Sequence, residues 1–101
     1  MIVPDVNVLV YAHREDAAQH ERYAEWLAGV VAGADELGLV EAALTGFVRV
    51  VTHPRIFAEP ATSAEALAFV TALRGSGQSR TLAATDATWQ HFADIATADR
   101  Q

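Results

Sequence analysis

The sequence has 101 residues, 51% of them hydrophobic and 20% charged, a balance typical of one compact globular domain and not of a disordered or fibrous chain. Thirteen acidic against seven basic side chains leave a formal net charge of -6, which argues against a domain that grips nucleic acid non-specifically through its phosphates. The absence of cysteine excludes disulfides and thiolate metal sites, so a metal would have to be bound by oxygen or imidazole.

The sequence carries no signal for secretion or membrane insertion. No basic residue precedes Asp5, and no apolar run approaches the length of a membrane span. We therefore expect a soluble protein of the cytoplasm that makes no contact with a membrane.

The chain begins with a short apolar segment followed by an acid. Residues 2 and 3 are β-branched and Pro4 follows them, which predicts a buried strand over residues 2–4 that ends where Asp5 begins. The next residues that recur at helical spacing predict a short helix; they are Val6, Leu9, Val10 and His13. Asp5 is thus predicted at a strand-to-helix junction.

A second helix is predicted with Asp16 as its N-cap and Gly33 at its end. Its buried face comprises His20, Tyr23, Ala24, Leu27, Val30 and Val31. This helix is interpreted as structural.

A second strand-to-helix junction is predicted near residue 41. Residues 36–39 form a weak strand pattern, and from Val40 the apolar residues take helical spacing until Pro54, at Leu44, Phe47, Val48 and Val51. Glu41 therefore lies at this junction.

The remaining sequence predicts two more helices and a strand. Thr62 and Glu65 have the spacing of a capping box, which predicts a helix over residues 64–73. Residues 75–79 form a flexible connection, and residues 80–83 a third strand. The inward positions of the helix are predicted to be Ala66, Leu67, Val70 and Leu73, and a last helix is marked by Trp89, Phe92, Ala93 and Ala96.

Strands and helices alternate, which predicts the α/β class, because parallel strands need long crossovers and helices supply them. We expect a three-layer arrangement, with helices flanking a parallel sheet, in a single domain over residues 1–101.

Asp5 and Glu41 are the candidate site residues. In a parallel sheet ligands bind at the carboxyl ends of the strands, so the two acids meet at one edge if their strands are neighbours. Carboxylates there suit Mg²⁺ or Mn²⁺, which prefer oxygen ligands, and Asn7 could hold a carboxylate through its amide. The alternatives are an N-cap for Asp5, a first-turn acid for Glu41 and a local hydrogen bond for Asn7.

Two sequence blocks are similar to a known family. "DVNVLVYAH" from Asp5 and "EAALTGFVRVVTHPRIF" from Glu41 to Phe57 resemble the PIN-domain ribonucleases, especially the VapC-like toxins of type II toxin–antitoxin pairs. Their spacing also fits, and the likeness extends more loosely through "TLAATDATWQHF".

The resemblance implies a PIN-like sheet, a cluster of three or four acids, Mg²⁺ or Mn²⁺ as cofactor, RNA as substrate and a cognate antitoxin as partner. Position by position, Asp5 matches the first family acid and Glu41 the second, both as catalytic metal ligands. Asn7 matches a polar position that supports the first acid.

The family's third acid opens a helix after a segment like residues 89–99, and further strands follow it. We therefore interpret the chain as C-terminally truncated, with the last strands and a helix missing. Asp86, Asp94 and Asp99 do not stand in the context of the missing acid, so we expect these 101 residues to bind metal poorly and to cleave RNA weakly or not at all. A second copy of the chain or a complementing fragment would supply what is missing.

Two other functions are compatible with the residues. An aspartyl-phosphate phosphatase also begins with an acid after a first strand, but Asn7 replaces the second acid that such an enzyme needs. A catalytically inactive PIN-like scaffold would only bind an antitoxin or another subunit. Aromatic residues such as Trp26 are expected in the core rather than stacked on bases, with a groove for an antitoxin helix as the alternative.

Overall fold

Helices and short parallel strands alternate along residues 1–83, the part of the chain that the computed structural model describes. The elements are α1 (Val6–His13), α2 (His20–Ala32), β1 (Leu37–Val40), α3 (Glu41–Val51), α4 (Ser63–Arg74) and β2 (Ser79–Leu82). The predicted α/β class and the strand-to-helix junction at Glu41 are confirmed, whereas α1 follows a single β-bridge and not a strand. The predicted helix around Trp89 lies outside the described residues.

β1 lies between two parallel neighbours. On one side it pairs with β2, in the register that sets Leu37 opposite Ser79 and Val40 opposite Leu82. On the other side Ile2 forms a single parallel bridge, donating its N–H to the Glu36 carbonyl at 2.8 Å and accepting from the Gly38 N–H at 2.7 Å.

The strand predicted at residues 2–4 is therefore reduced to one bridge. Pro4 has no N–H to donate, and Asp5 already caps α1, so the extended segment ends before a second pair can form. Its direction and its place beside β1 are nevertheless those needed to bring the two junctions together.

The core lies where the helices meet the sheet. Its most deeply buried side chains are Phe47, Leu9, Leu37, Leu39 and Val51. The Phe47 ring stacks on Phe69 with 4.9 Å between centroids, and the His13 ring meets both rings edge-on. α3, which begins with Glu41, is thus fixed by its buried face.

The predicted start of α2 was wrong. The helix begins at His20, and its cap position is Gln19, without a side-chain cap. Asp16 instead accepts hydrogen bonds from the Arg14 guanidinium at 2.9 and 2.6 Å. That guanidinium also lies 3.9 Å from the centroid of the Phe57 ring, in a distant part of the chain.

The capping box of α4 is confirmed, because the Thr62 N–H donates to Glu65 Oε1 and the Glu65 N–H donates to Thr62 Oγ1. The predicted burial of Leu67 was wrong, since this side chain is 54% exposed. The inward face of α4 comprises Ala66 and Leu73, which are buried, and Phe69 and Val70, which are partly buried; Leu67 lies outside this face.

Within residues 1–83, no helix is both long enough and apolar enough to cross a membrane.

Candidate active site

Asp5 lies at the N-terminus of α1, directly after the first extended segment. Its Oδ1 accepts a hydrogen bond from the Val8 N–H at 2.9 Å, so Asp5 is the N-cap of α1. The carboxylate is half-buried, and within residues 1–83 this is its only hydrogen bond. Because an ionised carboxylate offers about four lone-pair positions, capping leaves it able to bind a cation as well.

Glu41 is the first residue of α3 and follows β1 without an intervening loop. The Val40 side chain before it provides no cap, so the first amides of α3 lack a side-chain acceptor from that position. The Glu41 side chain is exposed. An acid at this position complements the helix dipole, which is the alternative role given above for Glu41.

The two junctions are neighbours at the carboxyl edge of the sheet. Val3, Val40 and Ala43 form a small buried cluster between them, and Val6 and Leu82 pack against it.

α1 and α3 approach closely beside this cluster. A Cβ added to Gly46 would lie 3.0 Å from Val6 Cγ2, so a side chain at position 46 would crowd α1. The residues that follow Asp5 and Glu41 are thus packed together, as predicted for neighbouring parallel segments.

The carboxylates themselves line separate depressions. Asp5 borders a pocket of about 660 Å³ together with Asn7, whereas Glu41 borders a shallower one of about 230 Å³ with Thr45 and Arg74. Among the pockets lined by residues 1–83, the structure therefore brings the two backbone junctions together while Asp5 and Glu41 border different depressions.

Asn7 lies on the first turn of α1, exposed and on the wall of the same pocket as Asp5. The hydrogen bond that holds Asp5 comes from the Val8 backbone and not from the Asn7 amide. The supporting role of Asn7 stays a prediction.

No group of three or more acidic or histidine side chains within residues 1–83 is arranged to hold a metal ion. Asp86, Asp94 and Asp99 lie outside the described residues. The assignment of Asp5 and Glu41 as metal ligands stays a prediction.

Three aromatic residues that were not predicted at the site border the Asp5 pocket. Tyr11 from α1 and Tyr23 from α2 lie 5.4 Å apart between ring centroids, and Trp26 completes the wall. Trp26 was expected in the core, but its side chain is 41% exposed. The sequence could have indicated this exposure, because Trp26 lies just outside the predicted buried face of α2.

The sequence was also compared with known proteins. It is 38% identical over 97 residues to a VapC ribonuclease of Mycobacterium bovis and to Ribonuclease VapC43 of Mycobacterium tuberculosis, matches that cover 96% of this chain and 66% of each relative. It is 41% identical over 70 residues to Ribonuclease VapC33 of Mycobacterium tuberculosis, covering 69% of this chain and 49% of that relative.

The chain thus spans between about half and about two thirds of the length of these curated relatives. No family model matches the sequence.

Proposed function

The chain belongs to the VapC-like PIN-domain family, and on that premise we propose that it is an RNA endonuclease, the toxin of a toxin–antitoxin pair. The observation that carries the proposal is the position of Asp5 and Glu41, each directly after one of two neighbouring parallel segments. The relatives, named as ribonucleases, support the reaction class.

The donor set fits a hard divalent cation, Mg²⁺ or Mn²⁺. Such ions are commonly held by one or two carboxylates, with water and substrate phosphate oxygens as the other ligands. Asp5 and Glu41 are the residues that would hold it. When bound, the cation lowers the pKa of water and stabilises the charge that develops on a phosphodiester.

The chain's own groups have separate tasks in this proposal. The Val8 N–H fixes the orientation of the Asp5 carboxylate, and the N-termini of α1 and α3 offer partial positive charge to phosphate oxygens. Water is the nucleophile, so the reaction passes through no covalent enzyme intermediate.

A catalytically inactive scaffold is the second candidate function. It is favoured by the finding that residues 1–83 hold no group of three or more potential metal ligands. In that case the chain would serve only to bind an antitoxin or another subunit.

The proposed partners are RNA, a cognate antitoxin, and a second copy of the chain or a complementing fragment. The second copy or fragment is proposed because the first extended segment, within residues 1–83, is hydrogen-bonded on one side only, through Ile2. An open edge of this kind can accept a further strand.

The test is an RNA cleavage assay with Mg²⁺ or Mn²⁺ on the wild type and on Asp5→Asn, Glu41→Gln and Asp35→Asn. Asparagine caps helices about as well as aspartate, so Asp5→Asn removes the charge while keeping the N-cap of α1. Asp35→Asn makes the same chemical change at an exposed loop position outside the site.

We expect weak cation-dependent cleavage that Asp5→Asn and Glu41→Gln abolish and Asp35→Asn preserves. Cleavage that survives both site substitutions would refute the assignment of these acids. A wild-type chain that binds a partner but leaves RNA intact would instead identify the scaffold.

A further inference from the structure

The pocket beside Asp5 has the character of a binding site for a planar aromatic group. Its volume of about 660 Å³ lies within the range of about 300–1,000 Å³ that is usual for small-molecule sites. We call it the aromatic pocket; besides Val8 and the first extended segment, Met1, Ile2 and Val3, its wall comprises Asp5, Asn7, Tyr11, Tyr23 and Trp26.

Trp26 is the most accessible aromatic group of the aromatic pocket. Its side chain is 41% exposed, and it borders both this pocket and an adjoining depression of about 260 Å³. Because unpaired bases stack on aromatic side chains whatever their sequence, an exposed indole beside a phosphodiester site suits a nucleobase.

Positive charge lies next to the aromatic pocket. The Arg22 guanidinium is 5.6 Å from the centroid of the Tyr23 ring, and Arg22 borders the adjoining depression with Trp26. In a chain with a net charge of -6, this arginine offers the phosphate of a bound nucleotide a local counter-charge.

From this arrangement we propose that the aromatic pocket binds one unpaired nucleobase of the RNA, with Trp26 as its stacking platform and Arg22 on the adjacent phosphate. The proposal rests on the proposed function in that the nucleotide is placed beside Asp5. Asn7, exposed on the pocket wall, supplies an amide that can both donate to and accept from a base edge.

The test measures binding of single-stranded RNA oligonucleotides of about ten nucleotides. Binding is followed by fluorescence anisotropy in EDTA, so that RNA is not cleaved. A series of oligonucleotides, each with one abasic position, is titrated against the wild type, Trp26→Ala and Trp26→Phe. Ile56→Ala is the matched control, because Ile56 is 54% exposed and lies outside the pocket.

We expect Trp26→Ala to weaken binding about thirtyfold, the middle of the range for loss of one stacked base, and Trp26→Phe to restore most of it. An oligonucleotide with one particular abasic position should bind the wild type more weakly by a similar factor. The same abasic position should hardly weaken binding to Trp26→Ala any further. Arg22→Gln should weaken binding to all the oligonucleotides alike and reduce its salt dependence. Ile56→Ala should bind as the wild type does.

Additive effects of Trp26→Ala and every abasic position would overturn the proposal, and so would a wild type that binds RNA no better than Trp26→Ala does. If Trp26→Ala leaves RNA binding intact but prevents capture of a protein partner, the surface is a protein interface and the proposal is equally refuted. Because the measurement needs no cleavage, loss of the nuclease activity in the earlier assay is a separate outcome. The binding measurement therefore tests the base-binding pocket whether or not the chain cleaves RNA.

Discussion

His13 is a titratable residue held in a mostly apolar position. Its ring lies edge-on to Phe47 and Phe69, with centroids 5.3 and 5.0 Å away, and its Nδ1 is buried without a hydrogen-bond partner in the described part of the chain. Burial lowers the pKa of His13 below 6.5, and the neighbouring Arg14 charge lowers it further, against the opposing effect of Glu65.

This environment predicts that acid weakens the fold. Because the pKa of His13 is lower in the folded chain than in the unfolded one, the unfolded chain binds more protons between the two values. The contribution to stability is therefore complete above about pH 6.5 and is lost as the pH falls through 6.5 towards the folded-state pKa.

The measurement is the free energy of unfolding by urea at about pH 7.5 and about pH 5.5, an interval above the ordinary range of carboxyl groups. The wild type should lose stability across this interval, and His13→Gln should lose less. His53→Gln, at an exposed position, should behave like the wild type. An equal loss in the wild type and His13→Gln would contradict the assignment to His13.

At the scale of elements, the features that depend on local sequence were predictable. The capping box at Thr62 and the end of α2 at Gly33 follow from residues within one turn of each other. The start of α2 was not predictable in this way, because Asp16 is occupied by Arg14, which is itself stacked on Phe57 from another part of the chain.

The capping box of α4 gives a direct test of how local interactions stabilise an element. Thr62→Ala removes the hydroxyl that accepts the Glu65 N–H and should reduce the free energy of unfolding by about 1 kcal/mol. Thr71→Ala, at an exposed position later in the same helix, should have little effect. Urea unfolding at neutral pH measures both, and equal stabilities of the two variants would argue against the cap.

The close approach of the first segment to β1 gives a second test. A Cβ at Gly38 would lie 2.7 Å from Met1 Sδ and 2.9 Å from Val3 Cγ2. The Met1 side chain can move away, but Val3 is buried, so Gly38→Ala should cost about 1–3 kcal/mol of stability.

Gly29→Ala is the matched control for Gly38→Ala. Apart from the helix's own backbone and the two adjacent residues, no atom of residues 1–83 lies within 4 Å of a Cβ at this helical position, so the substitution should stabilise the chain by about 0.5–1 kcal/mol. A Gly38→Ala variant as stable as the wild type under urea would mean that the first segment does not lie against β1.

At the scale of the whole molecule, the places of the candidate site residues in the fold could be predicted, but the shape of the surface around them could not. Asp5 and Glu41 were found because each follows an apolar segment and opens a helix. Their placement on separate depressions, and the aromatic pocket beside Asp5, depend on how α1 and α2 pack, which no short stretch of sequence encodes.

The proposed site requires that the two junctions share one cation. Titration of the isotope-labelled chain with Mn²⁺, followed by NMR, tests it directly, because the paramagnetic ion broadens the signals of nearby amides. We predict that the amides of residues 6–8 and 42–44 broaden together at the same Mn²⁺ concentration, that Asp5→Asn and Glu41→Gln each remove both effects, and that Asp35→Asn removes neither. Broadening confined to one junction, or unchanged in Asp5→Asn, would contradict the claim.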